Sequence, residues 1–172
     1  QFQICNASHY QNDLIWSPVE WSWGATLYVI ILPMLYFGRS IVGYPRQGFD
    51  PEEALALVEE HEVTLFFAPA TVLRLVLQSG VGDDYDVSTV RVVSSGGESL
   101  DQGVRDQIRG VFGDVVIHEA FGQTEALSLI GSCETYFESK PGMIGRRFPG
   151  QEGLSVLDPE TQEPVEQGEI GE

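Results

Sequence analysis

Apolar residues fall along this chain in two patterns. Val63–Ala68, Val90–Ser95 and Val115–His118 are short, nearly continuous runs rich in valine, isoleucine and phenylalanine. Such runs suit strands covered on both faces, as in a parallel sheet. Between them, apolar positions recur at helical spacing: Leu55, Leu57 and Val58 after Pro51, then Leu100, Val104, Ile108 and Val111 ahead of Gly113. The order strand, helix, strand, helix predicts an α/β fold in which a mostly parallel sheet is layered with helices. Asp13–Trp16 and Ser40–Tyr44 read as further short strands, and Gln1–Tyr10 as the tail of a helix.

Punctuation residues sharpen these boundaries. Asp50-Pro51-Glu52-Glu53 is a helix start, with Asp50 as cap and Pro51 at the first helical position. Pro69 opens a second helix to about Gln78, closed by Gly80. Ser99 and Gln102 have capping-box spacing for a third. The apolar run Gly24–Phe37 contains Pro33 and falls short of the roughly 20 residues needed to span a membrane. It predicts a buried, kinked helix. After Glu125 glycines and prolines become frequent, and Leu154, Val156 and the turn Asp158-Pro159-Glu160-Thr161 predict a β-hairpin. Residues 1–150 are therefore expected to belong to the α/β core, and residues 151–172 to begin a Gly/Pro-rich β segment.

Composition narrows the function classes. At 172 residues with 42% hydrophobic residues, the chain can bury a real core. Its net charge is −17, and of nine basic residues only Lys140 is lysine. Phosphate-backbone binding needs a basic face, so a nucleic-acid partner is disfavoured. So acidic a surface fits a salt-adapted protein and, equally, an ordinary acidic domain. Cys5 and Cys133 have no ligand-like spacing, and no secretory signal is visible. Together these predict reduced thiols and a cytoplasmic location. The first residue is Gln1 and the last is Glu172, so the chain reads as a piece of a longer protein.

The candidate chemistry lies in two loops, each following a predicted strand. Ser95-Gly96-Gly97-Glu98-Ser99 follows the first, and Glu119-Ala120-Phe121-Gly122-Gln123-Thr124-Glu125 the second. If the strands are parallel neighbours, both loops emerge at one sheet edge, where open α/β sheets bind ligands. The glycines of the first loop serve a tight turn, or let a flat heterocycle lie against bare backbone. In the second, Phe121 offers a stacking face, Thr124 a hydroxyl for a phosphate oxygen, and Glu125 a hard oxygen ligand for Mg²⁺. The phosphate-binding GxxxxGK[ST] and GxGxxG motifs and the nucleophile-elbow motif GxSxG are absent, and His9, His61 and His118 are scattered.

Four motifs occur in a telling order: Gly96-Gly97-Glu98, then Phe121-Gly122-Gln123-Thr124-Glu125, then Pro141-Gly142-Met143-Ile144-Gly145-Arg146, then Gly168-Glu169-Ile170-Gly171-Glu172. The set resembles the landmarks of the adenylate-forming superfamily of acyl-CoA synthetases, adenylation domains and luciferases. Glu20-Trp21-Ser22-Trp23-Gly24 is similar to the acyl-pocket loop of acetyl- and medium-chain acyl-CoA synthetases. The resemblance covers essentially the whole chain. Each motif alone is weak, and the ordered set is specific.

The resemblance implies an AMP-forming acyl-CoA synthetase. A carboxylic acid, such as a fatty acid, and ATP give acyl-AMP and pyrophosphate, and coenzyme A then takes the acyl group. ATP or AMP, Mg²⁺ and coenzyme A are the implied cofactors. Gly97, Glu98 and Ser99 would line the adenine and ribose side, with Glu119 at the exocyclic amine and Phe121 on a ring face beside Gly122. Tyrosine is usual at the Phe121 position. Thr124 would touch the α-phosphate and Glu125 would hold Mg²⁺, the two acting in catalysis. Trp21, Trp23, Gly96 and Gly122 would form the substrate pocket. Acetyl-CoA synthetases carry tryptophan where this chain has Gly122, so an acid longer than acetate is expected. The family's phosphate loop, ribose-binding aspartate and catalytic lysine are not found within these residues, and the isolated piece is expected to be inactive. Two rivals remain: an aryl- or amino-acid adenylation enzyme, and a non-catalytic fragment that binds nucleotide or acyl groups.

Overall fold

Among the described residues, seven strands form a single sheet in the order β2-β1-β3-β4-β5-β6-β7. They are β1 (Leu14–Trp16), β2 (Ser40–Ile41), β3 (Leu65–Phe67), β4 (Val92–Gly96), β5 (Val116–Phe121), β6 (Ile130–Cys133) and β7 (Arg146–Arg147). The first five pair in parallel, and β6 and β7 are added antiparallel. This computed structural model describes residues 12–45, 48–136, 139–140 and 142–172. The helix tail expected over residues 1–10 lies outside the described residues, as do Cys5 and Pro141.

Strand alternation sorts the core into two layers, because successive side chains point to opposite faces. Trp16, Phe66, Val93 and Ile117 pack against helices α2 (Pro51–Glu60), α3 (Ala70–Ser79) and α4 (Gln102–Phe112). Trp16, Phe66 and Phe112 stack in series, with centroids 5.7 Å apart at each step. Ile15, Leu65, Phe67 and Val92 face the other way, against Ile30 and Met34 of α1. Helix α1 is π-helical over Thr26–Ile31 and α-helical over Leu32–Tyr36. At the strand starts, buried Asp13 pairs with Arg91 at 2.6 Å, and Thr64 Oγ1 accepts from the Leu14 N–H at 3.0 Å.

Local chemistry explains the helix ends. Asp50 accepts from the Glu53 N–H at 3.0 Å and Pro51 opens α2, as expected. Gly80 closes α3 in the left-handed conformation with φ 71°. The expected cap of α4 at Ser99 is corrected: Asp101 is the cap, accepting from the Val104 N–H at 3.0 Å. Ser99 is not at the cap position because the chain is still extended at Asp101, and the Leu100 N–H is held elsewhere, by Glu119.

Helix α1 departs from a plainly buried, kinked rod. Only Thr26, Ile30, Ile31 and Met34 are buried, whereas Tyr28, Leu32, Leu35 and Tyr36 are exposed. Pro33 lacks an N–H and its ring clashes with a carbonyl four residues back in an α-helix. The backbone widens before it instead, and the Leu32 N–H donates to Leu27, five residues back. The predicted hairpin after residue 153 reduces to one bridge, Leu157 to Pro164, around a turn in which Asp158 Oδ1 accepts from Glu160 and Thr161.

Candidate active site

The sheet ends in two cavities on opposite faces, and β4–β5 register is the cause. Ser95 pairs with Glu119 and Gly96 with Ala120. Gly96 and Ala120 turn to the α1 side, where they line a cavity of about 270 Å³ with Trp23, Ala25, Val29 and Phe67. Glu119 turns to the α4 side, where it lines a cavity of about 400 Å³ with Ser99, Leu100, Arg105 and the loop bearing Lys140, Met143 and Ile144. The strand-end loops do meet at one edge.

The first cavity is partly aromatic, with Trp23 and Phe67 centroids 6.2 Å apart. Gly97 has φ 84°, and a Cβ there would lie 3.2 Å from the Trp23 indole. The flat ring resting on that bare backbone is thus the chain's own tryptophan. Gly96 is equally tight, since a Cβ would meet the Ala120 carbonyl at 3.2 Å. Gly122 lines the cavity too, but the space its side chain would need belongs to the following loop. A Cβ would meet Ser128 N at 2.4 Å and Ala126 O at 3.0 Å. The glycine expected in the pocket wall thus also lets the backbone of residues 126–128 close over β5. The expected place of Trp21 in that pocket is corrected. Trp21 is 49% exposed and lines a separate hollow with Pro18, Gly43, Tyr44 and Pro45, lying against the bare face of Gly43.

The Phe121–Leu129 loop is drawn tight. Gln123 and Ala126 exchange two backbone hydrogen bonds of 3.1 Å, and the Leu129 N–H donates to the Phe121 carbonyl at 2.8 Å. Ser128 sits at φ 55°, a conformation that non-glycine residues adopt chiefly where surrounding structure imposes it. Thr124 lines the first cavity, and its Oγ1 is 3.6 Å from where a Gly24 Cβ would lie, so the Trp23–Gly24 loop and the threonine adjoin. Phe121, though exposed, also lines this cavity, and Glu125 is exposed beside it. Glu125 fits the role of Mg²⁺ ligand in its donor chemistry, because Mg²⁺ is commonly held by one or two carboxylates plus substrate phosphates.

On the α4 face the carboxylates are engaged. Glu119 and Arg105 are each 5% exposed. Arg105 Nη2 donates to Glu119 Oε2 at 2.6 Å, and the Leu100 N–H donates to Oε1 at 3.0 Å. Arg105 also reaches Ser132 Oγ at 3.3 Å and lies 3.6 Å from Glu134, which Arg109 holds at 2.8 Å. Glu98 lies in neither cavity lining. Its Oε2 accepts from the Thr71 N–H at 2.9 Å and Thr71 Oγ1 at 2.6 Å, so it braces the glycine turn against the start of α3. The Val104 N–H at the α4 cap holds the Asp101 carboxyl below its ordinary range. His118 is buried, with Thr135 Oγ1 3.3 Å from Nε2, a structural placement.

Arg105 was not singled out by motif reading, although a signal existed. It sits three residues before buried Ile108, on the apolar stripe of α4, where an arginine requires a buried partner. Phe67, Ala25 and Val29 carry no sequence signal beyond burial, since only topology brings them to the cavity.

Open α/β sheets bind ligands at the carboxyl ends of their parallel strands, and both cavities lie there. The chain belongs to the AMP-binding enzyme family, whose model matches residues 1–172. It is 32% identical over 131 residues to 4-coumarate–CoA ligase 2 of Nicotiana tabacum, covering 73% of this chain and 24% of that protein. Among solved structures it resembles the Brucella canis acyl-CoA synthetase (TM-score 0.81, 27% identity, 94% of this chain and 30% of that one). It shares its fold with the anthranilate CoA ligase AuaEII in complex with anthranoyl-AMP (TM-score 0.84, 21% identity, 99% and 33%). The chain thus spans about a quarter of the first relative and a third of the solved chains.

Proposed function

We propose that this chain is the acid- and nucleotide-binding part of an AMP-forming acid–CoA ligase. The observation that carries the reading is the pair of cavities at the end of β5, one walled by Trp23 and Phe67 and the other by Glu119 and Arg105, with Thr124 and Glu125 in the loop that follows. In this reading the acid's hydrocarbon part enters between Trp23 and Phe67, and the nucleobase lies toward Ser99, Glu119 and Phe121. Thr124 would meet the α-phosphate where the carboxylate attacks, and Glu125 would hold Mg²⁺, which when bound would supply positive charge to the phosphates. Together they offset charge that builds in the transition state. Coenzyme A then accepts the acyl group.

Among the described residues no carboxylate lines the first cavity, which disfavours an amino acid, whose ammonium needs an anion. Each methylene buried there contributes about 0.8 kcal/mol, so an acid larger than acetate suits it. A second reading is an aryl acid, favoured by the two aromatic walls and by the relative named for 4-coumarate. The test is ATP–pyrophosphate exchange by the full-length protein on C2 to C10 acids, benzoate and 4-coumarate. An optimum at medium chain length supports the first reading and one at the aromatic acids the second. A clear acetate optimum refutes both.

A further inference from the structure

We propose that Arg105 is a positioning residue for base selection: by fixing Glu119 as an oriented anion, it makes the α4-side cavity select a 6-aminopurine. This deepens the ligase reading and rests on it.

A buried carboxylate in a chain of net charge −17 has no favourable reason to remain charged without a cation beside it. Arg105 supplies that cation at 2.6 Å. The pair is buried on both sides, so neither partner is solvated in its place. Arg105 is itself aimed from three directions. Helix α4 carries it, Ser132 on β6 accepts from Nη2, and Glu134 balances its charge at 3.6 Å. Glu134 is fixed in turn by Arg109 at 2.8 Å and by the Ile117 N–H at 2.9 Å. With Arg105 on one oxygen and the Leu100 N–H on the other, the Glu119 carboxylate has little freedom to turn.

It still has capacity to spare. A carboxylate offers about four lone-pair sites, and the two bonds above use two. Glu119 also lines the open cavity beside Ser99. What it presents there is an acceptor and a negative charge. A 6-amino group on a purine donates to such a site, whereas a 6-oxo group meets it acceptor to acceptor. Without Arg105 the carboxylate would be free to turn away, and the acceptor would no longer be defined. Arg105 lines the same cavity, and its role here is to hold Glu119 rather than to contact the base.

The experiment uses the full-length protein and reads equilibrium binding by calorimetry. The ligands are AMP, purine riboside 5′-monophosphate, which lacks the amine, and GMP; ATP–pyrophosphate exchange with the matching triphosphates runs in parallel. Wild type is expected to prefer AMP to the amine-free analogue by about 10-fold, the order of one hydrogen bond. Arg105→Met should reduce that preference to less than about 3-fold, mostly by weakening AMP. Arg105→Lys, which keeps charge but not the fork, should fall between. Equal loss for AMP and analogue in Arg105→Met, with the preference intact, means a merely structural arginine and overturns the proposal. If Arg105→Met does not fold, Arg105→Lys decides, and an undiminished preference there overturns it. A wild type that binds AMP without preferring it over the analogue also overturns it. A wild type that binds no adenine nucleotide and exchanges no pyrophosphate refutes instead the ligase reading beneath it.

Discussion

Adding one methyl group at Gly122 separates two accounts of that glycine. An alanine Cβ would lie 2.4 Å from Ser128 N, 3.0 Å from Ala126 O and 3.2 Å from Leu127 C. Comfortable carbon contacts lie near 3.5–4.0 Å, so the loop must retreat by about 1 Å. All three obstacles are backbone, and Ser128 is already held at φ 55°, so no rotamer change relieves the clash. Overpacking of this kind costs about 1–3 kcal/mol. At this chain length each kcal/mol lowers the melting midpoint by about 2–4 °C, giving a drop of about 2–12 °C for Gly122→Ala. Scanning fluorimetry of the two proteins measures the drop directly. Pyrophosphate exchange by the full-length pair should fall for every acid in similar proportion, because the displaced loop carries Thr124 and Glu125. An unchanged midpoint, together with an acid optimum moved toward acetate, would refute the reasoning. It would mean that residue 122 points into the cavity.

Further outcomes are expected. Glu98→Ala releases the Thr71 N–H and hydroxyl and should lower the urea stability by about 1 kcal/mol, the usual worth of a helix-end acceptor; an unchanged midpoint would show that the brace is idle. Burial pushes the Cys133 thiol up from 9.0 to about 11. Its pKa is thus higher folded than unfolded, so its contribution is complete below about pH 9 and declines as pH rises toward 11. Cys133→Ser should flatten that part of the pH–stability curve. Because the net charge is −17, raising NaCl from about 0.1 to 1 M, which shortens the screening length from about 10 to 3 Å, should raise the melting midpoint. A midpoint that falls would rule out self-repulsion as a main term in stability.

Much of the architecture is legible because it depends on neighbours in sequence. The Asp50 cap, Pro51 and Gly80 act on their own helices, and the apolar runs around Phe66, Val93 and Ile117 need only a layered sheet to make sense. The ordered motifs likewise carry family membership, since their residue identities survive without knowledge of packing. What escapes is long-range. Asp101 displaces Ser99 as cap because Glu119, from a different strand, holds the Leu100 N–H. Trp21 and Trp23 lie two residues apart yet line different hollows. Strands β6 and β7 are short additions at one edge, where Gly131 and Gly145 dilute the apolar signal. Gly122 is read as space for a ligand until the return path of the backbone is known.

The alternation along β4 and β5 has a consequence for how such proteins change over time. In the proposed reading the acid would be met from the face of Gly96 and Ala120 and the base from the face of Glu119, residues of opposite parity on these two strands. Variation at Ala120 would then exchange one acid for another while Glu119 stays as it is. Two preferences encoded on the same two strands can drift, or be engineered, as separate traits.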